Sequence, residues 1–234
     1  SAKALLANKL IDTAVFETAR GGIIREGLGY DLADVGIVTN VTEDHLGLDG
    51  INTKEDLAFI KALVVEAIKS NGYAVLNAED EMTNLILERV KTGIILFYKN
   101  KSAVKVQNLN KYINVFVDNG FIKIKDYHQE INVIKVEHIP ITHGGLLDCN
   151  IDNALAAVCA LYALKVPTQS IAEGLISFAN NPGRFQMFDM NGYKIMLDYA
   201  HNEAGYEEVV KLCKKLNYNR IIGVIGMPGD RPDT

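Results

Sequence analysis

The first half of the chain alternates between short apolar runs and segments whose apolar positions recur with helical spacing. A short apolar run between polar or glycine-rich segments predicts a strand, and the helical spacing predicts an amphipathic helix. Strands that alternate with helices predict a largely parallel sheet covered on both faces. We therefore expect strands at 13–18, 35–40 and 93–98, a strand followed by a loop within 73–80, and helices at about 54–70 and 82–90.

The middle of the chain has a β-rich pattern. Residues 115–125 alternate around Asn119-Gly120, a dipeptide typical of tight hairpin turns. The β character continues to about residue 141, and helices are predicted at 151–164 and about 168–179. The fold class that follows is α/β, with a largely parallel sheet, covering helices and a β-rich segment.

A second α/β domain is predicted to begin after the turn "NNPGR". A strand at 194–200, a helix at 203–216 and a strand at 221–226 form a β-α-β pattern. We therefore divide the chain into domains at 1–181 and 182–234. Two clear strands do not complete an α/β domain, and the first predicted strand lies close to the amino terminus. We expect the sequence to be a fragment of a longer protein.

Charge and composition argue against several classes of function. The 24 basic and 29 acidic residues give a net charge of −5, which argues against a nucleic-acid partner. The longest apolar run, at 154–164, is too short to span a bilayer, so no membrane partner is expected. The three cysteines lack metal-ligand spacing, and Cys159 falls within this apolar run. Reduced, unpaired cysteines are typical of a cytoplasmic protein.

Polar side chains follow the first two predicted strands. Glu17 ends the first strand, and Asp44 and His45 come after the second. Ligands of open α/β sheets bind beyond the carboxyl ends of the strands, so neighbouring strands would bring Glu17 and His45 into one crevice. A carboxylate and an imidazole can hold a divalent cation, although Mg²⁺ prefers oxygen. The alternative is that Glu17 caps a helix and His45 is an ordinary loop histidine.

Lys61 lies on the predicted helix that follows this loop. A lysine among apolar neighbours usually extends its amine to the surface. A partly buried amine would instead have a lowered pKa and become nucleophilic. Such an amine could react with carbon dioxide to give a carbamate, which is a carboxylate-like metal ligand. Both interpretations of Lys61 remain open from the residues alone.

Two candidate nucleotide contacts lie further along the chain. Asp152 and Asn153 open a predicted helix, where they could act as an N-cap, or Asn153 could bind the edge of a base. Arg184, in "NPGRF", offers a guanidinium that could bind phosphate, although arginines in turns are mostly exposed to solvent.

The stretch "LDYAHNEAGYEE" (197–208) ends a strand and begins a helix. Its candidate residues are Asp198, His201 and Asn202, and Asp198 could bind a ribose hydroxyl. The alternative is helix capping, with acids in the first turn favoured by the helix dipole.

Together these stretches resemble the Mur ligase family over nearly the whole chain. The combination is specific, whereas each motif is weak by itself. The motifs, in family order, are "ETARGG", "TNVTEDHLG", a lysine one helix later, "VLNAED", "NALAA", "PGRF" and "DYAHN". The longer stretches "FETARGGIIREGLGYDLADVGIVTN", "EDHLGLDG" and "GVIGMPGDRPD" resemble the branch of the family that makes the polymer cyanophycin.

The resemblance implies an ATP-dependent amide-bond ligase. In that reaction a substrate carboxylate takes the γ-phosphate of ATP to form an acyl phosphate. An amine then displaces phosphate, so the products are ADP, phosphate and an amide. Magnesium would offset charge on the phosphates. The cyanophycin branch implies arginine and poly-aspartate as substrates, and we expect a homo-oligomer for the full-length protein.

The resemblance also implies roles for three residues near the first two strands. Glu17 and His45 match the family's magnesium-binding glutamate and histidine. Lys61 falls where many members carry a carbamylated lysine, although the alignment there needs a short insertion at 51–53. These three residues are the expected catalytic and metal-binding set. Asp44 is expected to orient His45 or to hold the loop.

The remaining roles implied by the resemblance concern the nucleotide. Asn153 matches the family's adenine-side asparagine. Arg184 and Asp198 match residues that contact the nucleotide from the carboxyl-terminal domain. His201 and Asn202 belong to the same motif as Asp198, and the resemblance places them with it among the expected nucleotide-binding residues.

The sequence departs from the family pattern in two ways. Glu203 follows "DYAHN" where many members have proline, which a helix start tolerates. No phosphate-binding G-x-x-x-x-G-K-[ST] loop occurs in the 234 residues, so we expect the chain alone to be inactive. The alternatives are another Mur-type amino-acid ligase, a binding module without chemistry, and a metal-dependent hydrolase using Glu17, Asp44 and His45.

Overall fold

The protein is described here by a computed structural model that covers residues 2–43, 46–47 and 49–226. A six-stranded sheet forms its main body, and the strands lie side by side in chain order. They are β1 (Ala33–Val38), β2 (Ile68–Asn77), β3 (Gly93–Tyr98), β4 (Ile113–Asp118), β5 (Phe121–Lys125) and β6 (Glu130–Lys135). A separate two-stranded sheet contains β7 (Gln186–Met190) and β8 (Tyr193–Leu197).

The strand directions confirm the predicted α/β class. Strands β1 to β4 are parallel, and β4, β5 and β6 are antiparallel. Asp118 pairs with Phe121 across the predicted hairpin turn. Asn119 and Gly120 have φ angles of 48° and 76°, the positive values that this tight turn requires. A parallel sheet with an antiparallel extension is the arrangement that the β-rich segment indicated.

Helices cover both faces of the six-stranded sheet. The covering helices are α3 (Lys54–Glu66), α4 (Thr83–Leu87), α5 (Asp148–Ala163) and α6 (Thr168–Ser177). The chain also forms α1 (Ala2–Leu6), α2 (Arg20–Glu26) and α7 (Glu203–Lys215). Val75 and Ile95 belong to the apolar cluster on the side of α5 and α6, whereas Leu76 and Leu96 belong to the cluster on the side of α3 and α4. Successive strand residues face opposite sides, so the central strands are buried on both faces.

Several predicted boundaries move in the structure. Helix α3 begins at a capping box between Thr53 and Asp56, and it ends at Glu66 instead of about residue 70. Strand β2 already begins at Ile68, which pairs with Ala33 of β1. The residues that the helical pattern predicted as the end of the helix therefore belong to β2 instead. Strand β6 ends at Lys135 instead of about residue 141, because two 3₁₀ turns follow it.

Two predicted strands are wrong. Residues 13–18 and 221–226 form no strand, and the side chains of Val15 and Val224 are 92% and 98% exposed. A strand requires a hydrogen-bonded neighbour, and within the described residues β1 pairs with β2 alone. The two apolar runs have strand-forming composition without a partner that would make them strands.

The carboxyl-terminal part of the chain contains the hairpin β7–β8 and helix α7. Its strands are antiparallel, with Gly192 at a φ of 88° in the turn, and β7 was missed in the sequence. The predicted β-α-β element is therefore replaced by a hairpin followed by a helix. We call residues 33–177 the sheet unit and residues 186–215 the hairpin unit. The domain boundary near residue 182 stays a prediction.

No helix in the described part of the chain has the length and apolar character required to cross a bilayer.

Candidate functional site

The end of β1 is held by three side chains from neighbouring elements. Asn77 donates from Nδ2 to the Thr39 carbonyl at 3.1 Å. Lys61 donates from Nζ to the Asn40 carbonyl at 2.7 Å. The Val41 amide donates to Oδ2 of Asp80 at 2.6 Å. We call residues 39–41 the strand-end loop. It lies at the carboxyl edge of the sheet, where ligands of α/β proteins bind.

Lys61 therefore lies at the sheet edge where the sequence placed the predicted metal site. Its side chain comes from α3 and is half-buried. Its Nζ donates to the Asn40 carbonyl, and a lysine carbamate would keep one N–H that could donate the same bond. The carbamate therefore stays a prediction.

Of the other two members of the predicted metal set, the structure describes Glu17. Glu17 is exposed, on a segment where the Phe16 ring stacks on Tyr30 with centroids 6.1 Å apart. His45, together with Asp44, lies outside the described residues. Within those residues, no group of three or more His, Cys, Asp or Glu side chains could hold a metal ion. The set of Glu17, His45 and Lys61 stays a prediction.

The start of α5 differs from the expected one. The helix begins at Asp148 with Leu147 as its N-cap, so the N-cap prediction for Asp152 and Asn153 is wrong by about one turn. Asp152 instead forms an ion pair with Lys99, which follows β3, at 2.7 Å. Its Oδ1 atom is buried and has no hydrogen-bond partner among the described residues.

The ion pair between Lys99 and Asp152 shifts the pKa of both groups. Burial raises the pKa of Asp152 above its ordinary value, and the nearby Lys99 opposes that effect only in part. Burial lowers the pKa of Lys99, but the hydrogen bond and charge of Asp152 outweigh it, so the pKa of Lys99 is raised overall. Glu79 contributes to both shifts and accepts the backbone amides of Lys99 and Asn100. The pair fixes α5 to the end of β3.

Asn153 and Arg184 line the same cavity, of about 530 Å³. Asn153 donates from Nδ2 to Oδ1 of Asn150 at 3.2 Å, and Asn150 also lines the cavity. His143 is on the wall as well, and burial lowers its pKa, which favours the neutral imidazole. The walls thus present amide, imidazole and guanidinium groups, which suit a polar heterocycle with an attached anion.

Cys149 also lines this cavity, but burial raises the pKa of its thiol to about 12. The thiolate is the nucleophilic form of cysteine, so Cys149 is not a nucleophile at neutral pH.

Asp198 directly follows β8 and contacts the segment that precedes β7. Its carboxylate accepts the backbone amides of Phe185 and Ala200 at 2.8 and 2.7 Å. The Arg184 guanidinium lies over the Tyr199 ring, 5.1 Å from the centroid. Asp198 thus fixes the backbone next to Arg184, while its side chain lines a larger cavity of about 1410 Å³.

His201 and Asn202 have local roles in the structure. His201 contacts the Tyr199 carbonyl through Nδ1 at 2.9 Å and lines the larger cavity with Asp198. Asn202 is the N-cap of α7, and its side chain accepts the Gly205 amide at 2.9 Å. Asn202 therefore caps the helix, which was the alternative interpretation of the stretch 197–208. The five predicted nucleotide residues divide between two cavities and a helix cap.

Sequence reasoning missed several residues of these sites. Asn77 and Asp80 lie in "VLNAED", a motif used for the resemblance without a role for its side chains. Lys99, His143 and Asn150 lie outside the sequence motifs quoted above. Asn77, Asp80 and Lys99 lie at or just after the carboxyl ends of β2 and β3, and that position is the signal they share.

Two family models match the chain. Residues 2–161 match the model described as Mur ligase middle domain, and residues 183–234 match the model described as Mur ligase, glutamate ligase domain. Together they account for most of the sequence.

Relatives and solved structures agree with these matches. The chain is 40% identical, over its whole length, to cyanophycin synthetase of Crocosphaera subtropica, and it covers 27% of that protein. It is 28% identical to UDP-N-acetylmuramate–L-alanine ligase of Clostridium perfringens over 81% of the chain and 39% of that enzyme.

The fold is also similar to that of E. coli FolC in complex with DHPP and ADP, with a TM-score of 0.58 and 24% identity over 82% of the chain and 40% of FolC. MurF from Acinetobacter baumannii gives a TM-score of 0.59 at 18% identity, over 79% of the chain and 38% of MurF. At these identities the likeness concerns the fold alone. The chain spans about a quarter of the length of the cyanophycin synthetases that it matches.

Proposed function

Because the chain belongs to the Mur ligase family, we propose that it supplies the nucleotide-binding and metal-binding parts of an ATP-dependent amide-bond ligase. The observation that carries the proposal is that Asn153 and Arg184, which lie in different motifs, line the same cavity. The family matches to residues 2–161 and 183–234 support a boundary between two domains near residue 182.

We propose that Asn150 and Asn153 bind the base of ATP and that Arg184 binds its phosphates. Asn153 Nδ2 already donates to Asn150 Oδ1, so the two amides are aligned on the same wall. The contact with Tyr199 orients the Arg184 guanidinium, and Asp198 holds the backbone beside it. Asp198 and His201 would face the ribose side from the adjoining cavity.

For the metal, the proposed ligands are Glu17, His45 and Lys61 as its carbamate. Two carboxylate-type groups and an imidazole suit a divalent cation such as Mg²⁺. When bound, the ion would offset charge on the phosphates. The half-buried position of Lys61 at the sheet edge supports this proposal.

The proposed substrates are arginine and the aspartate side chains of poly-aspartate. This part of the proposal rests on the 40% identity to cyanophycin synthetase over the whole chain. The substrate carboxylate takes the γ-phosphate of ATP, and the arginine amine then displaces phosphate. The competing candidate is another amino-acid ligase of the same family, and a panel of amino acids with matched acceptors distinguishes the two.

Nucleotide binding tests the cavity directly. We expect ADP binding, measured by titration calorimetry, to weaken about 10-fold in Asn153→Ala and in Arg184→Ala, because each change removes a hydrogen-bonding group. Asn132→Ala and Arg25→Ala are matched controls on exposed positions of the sheet unit's edge strand and of α2. Equal affinities in all four variants would refute the nucleotide site.

Turnover tests the chemistry. We expect residues 1–234 alone to form no amide from ATP, arginine and an aspartate-rich primer, since the sequence contains no phosphate-binding loop. Amide formation by this chain would refute that expectation. In a longer protein with such a loop, Glu17→Ala and His45→Ala should remove most activity. Mass spectrometry of Lys61 under bicarbonate reports the carbamate.

A further inference from the structure

The strand-end loop is anchored at three successive residues, and the anchors come from three different parts of the fold. Thr39 is held by the end of β2, Asn40 by α3, and Val41 by the turn after β2. The Val41 side chain is only 5% exposed and packs in the apolar cluster under α3. The orientation of the Asn40 carbonyl is therefore fixed by a hydrogen bond to the N–H of its own peptide group and by a second bond to the preceding peptide group.

The anchor at Val41 depends on both oxygens of Asp80. Oδ2 accepts the Val41 amide at 2.6 Å, and Oδ1 accepts the Met82 amide at 2.8 Å. A carboxylate provides an acceptor at each oxygen, whereas an amide of the same shape provides one acceptor and one donor. Asp80 thus joins the strand-end loop to the turn that starts α4.

The anchor at Thr39 requires a side-chain donor, whereas the anchor at Val41 requires a side-chain acceptor. Asn77 donates from Nδ2 to the Thr39 carbonyl at 3.1 Å, and its Oδ1 accepts the Glu79 amide at 2.9 Å. Here an amide is required, because one bond needs a donor and the other needs an acceptor. Asn77 and Asp80 therefore cannot exchange side-chain types without losing a bond.

We propose that Asp80 and Asn77 are positioning residues for Lys61. Asp80 binds the N–H of the peptide group that carries the Asn40 carbonyl, and Asn77 binds the carbonyl of the preceding peptide group. The Asn40 carbonyl accepts from the Lys61 amine at the carboxyl edge of the sheet. The functional importance of the amine rests on the proposed function, whereas the geometric claim does not.

The test measures the reactivity of the Lys61 amine. The chain is labelled briefly with acetic anhydride, and the rate at Lys61 is determined by peptide mass spectrometry relative to the other lysines. Asp80→Asn and Asn77→Asp preserve side-chain shape and reverse one hydrogen-bonding group each. We expect both variants to raise the rate at Lys61 by about 10-fold, the equivalent of one lost hydrogen bond to a charged group.

Two control variants separate positioning from general destabilisation. Glu81→Gln changes a neighbouring exposed acid. Thr83→Val removes the hydrogen bond from the buried Thr83 hydroxyl to the Asn77 carbonyl, in the same region but outside the strand-end loop. We expect Thr83→Val to lower stability while the Lys61 rate stays unchanged, provided labelling is done well below the unfolding temperature.

Hydrogen exchange at the Val41 amide provides an independent measurement. Protection should fall in Asp80→Asn and persist in Glu81→Gln. An unchanged Lys61 rate in both isosteric variants would overturn the proposal, as would an equal rise in Thr83→Val. If Lys61→Ala left the activity of a longer, active protein intact, the catalytic role in the proposed function would fail, and the labelling result would still decide the positioning claim.

Discussion

The sheet unit and the hairpin unit both contain apolar strand residues, but these residues have very different burial. Leu96 in β3 is 0% exposed, whereas Leu197 in β8 is 52% exposed. Helices cover both faces of the larger sheet, but the hairpin packs beside α7, in which Leu212 is the buried residue named for the described part of the helix. The comparison teaches that strands form where they find a hydrogen-bonded partner, while the layers that cover them determine how much burial stabilises them.

The largest expected effect is on the free energy of unfolding, and it is tested by the same substitution at one leucine in each unit. Leu96→Ala should lower the free energy of unfolding by about 2–5 kcal/mol, because it opens a cavity between packed layers. Leu197→Ala should lower it by less than about 1 kcal/mol, because half of its side chain is already in water. Urea unfolding followed by circular dichroism measures both, and equal losses would contradict the comparison.

A glycine in β1 gives the next largest effect. A Cβ at Gly36 would lie 2.5 Å from the Val64 carbonyl oxygen, which is backbone and cannot move aside cheaply. We expect Gly36→Ala to destabilise by about 1–3 kcal/mol. The control is Gly174→Ala in α6, where nothing lies within 4 Å, and which should stabilise by about 0.5–1 kcal/mol. A neutral Gly36→Ala in thermal unfolding would show that β1 and α3 are loosely packed.

One side-chain hydrogen bond in the sheet unit should make the stability of the protein depend on pH. The Tyr162 hydroxyl donates to Asp126 at 2.6 Å, which lowers the pKa of Asp126 to about 2. Burial, together with Asp126, raises the pKa of Tyr162 to about 12. The carboxylate therefore stabilises the fold above about pH 4, and this contribution is lost as the pH falls towards about 2.

Tyr162→Phe tests this contact. The difference in unfolding free energy between the unaltered chain and Tyr162→Phe should be below about 1 kcal/mol near neutral pH, because Asp126 faces solvent. It should shrink between about pH 4 and about pH 2. The phenol's own contribution is present below about pH 10 and is lost towards about pH 12. A difference that is constant with pH would contradict the assignment.

The smallest expected effect concerns a contact between the two units. Lys215 in α7 donates to Asp148 and to the Leu146 carbonyl at 2.9 and 2.8 Å. Both charged side chains are partly exposed, so Lys215→Met should change stability by less than about 1 kcal/mol, with the difference screened by salt. Lys214→Met, on an exposed neighbour, is the control. Faster limited proteolysis near residue 182 in Lys215→Met alone would show that this pair holds the units together.

The sequence predicted the sheet unit better than the hairpin unit, for a physical reason. Buried parallel strands are continuous apolar runs between helices, so β3 and the hairpin at Asn119-Gly120 were placed correctly. The runs at 13–18 and 221–226 have the same composition but find no partner strand, and composition does not report partners. Strand β7 was missed because its sequence lacks a strong alternating pattern.

The candidate site was predicted in part. Motif residues such as Asn153 and Arg184 were identified one by one, and only the fold shows that they share a cavity. The cap role of Asn202 follows from local sequence, whereas the ion pair of Asp152 with Lys99 joins residues far apart in the chain. Long-range side-chain pairs of this kind leave no periodic trace in a single sequence.

The order of strands in the larger sheet has a consequence for how the chain folds. Asp118 pairs with Phe121 across a tight turn, whereas Val38 must pair with Leu76 after an intervening helix has formed. Closing a short loop costs less chain entropy and is faster than closing a long one. We expect the sheet to grow from β4–β5 outwards, with β1 docking last. Pulse-labelled hydrogen exchange during refolding should protect the Ile122 amide before the Ile37 amide.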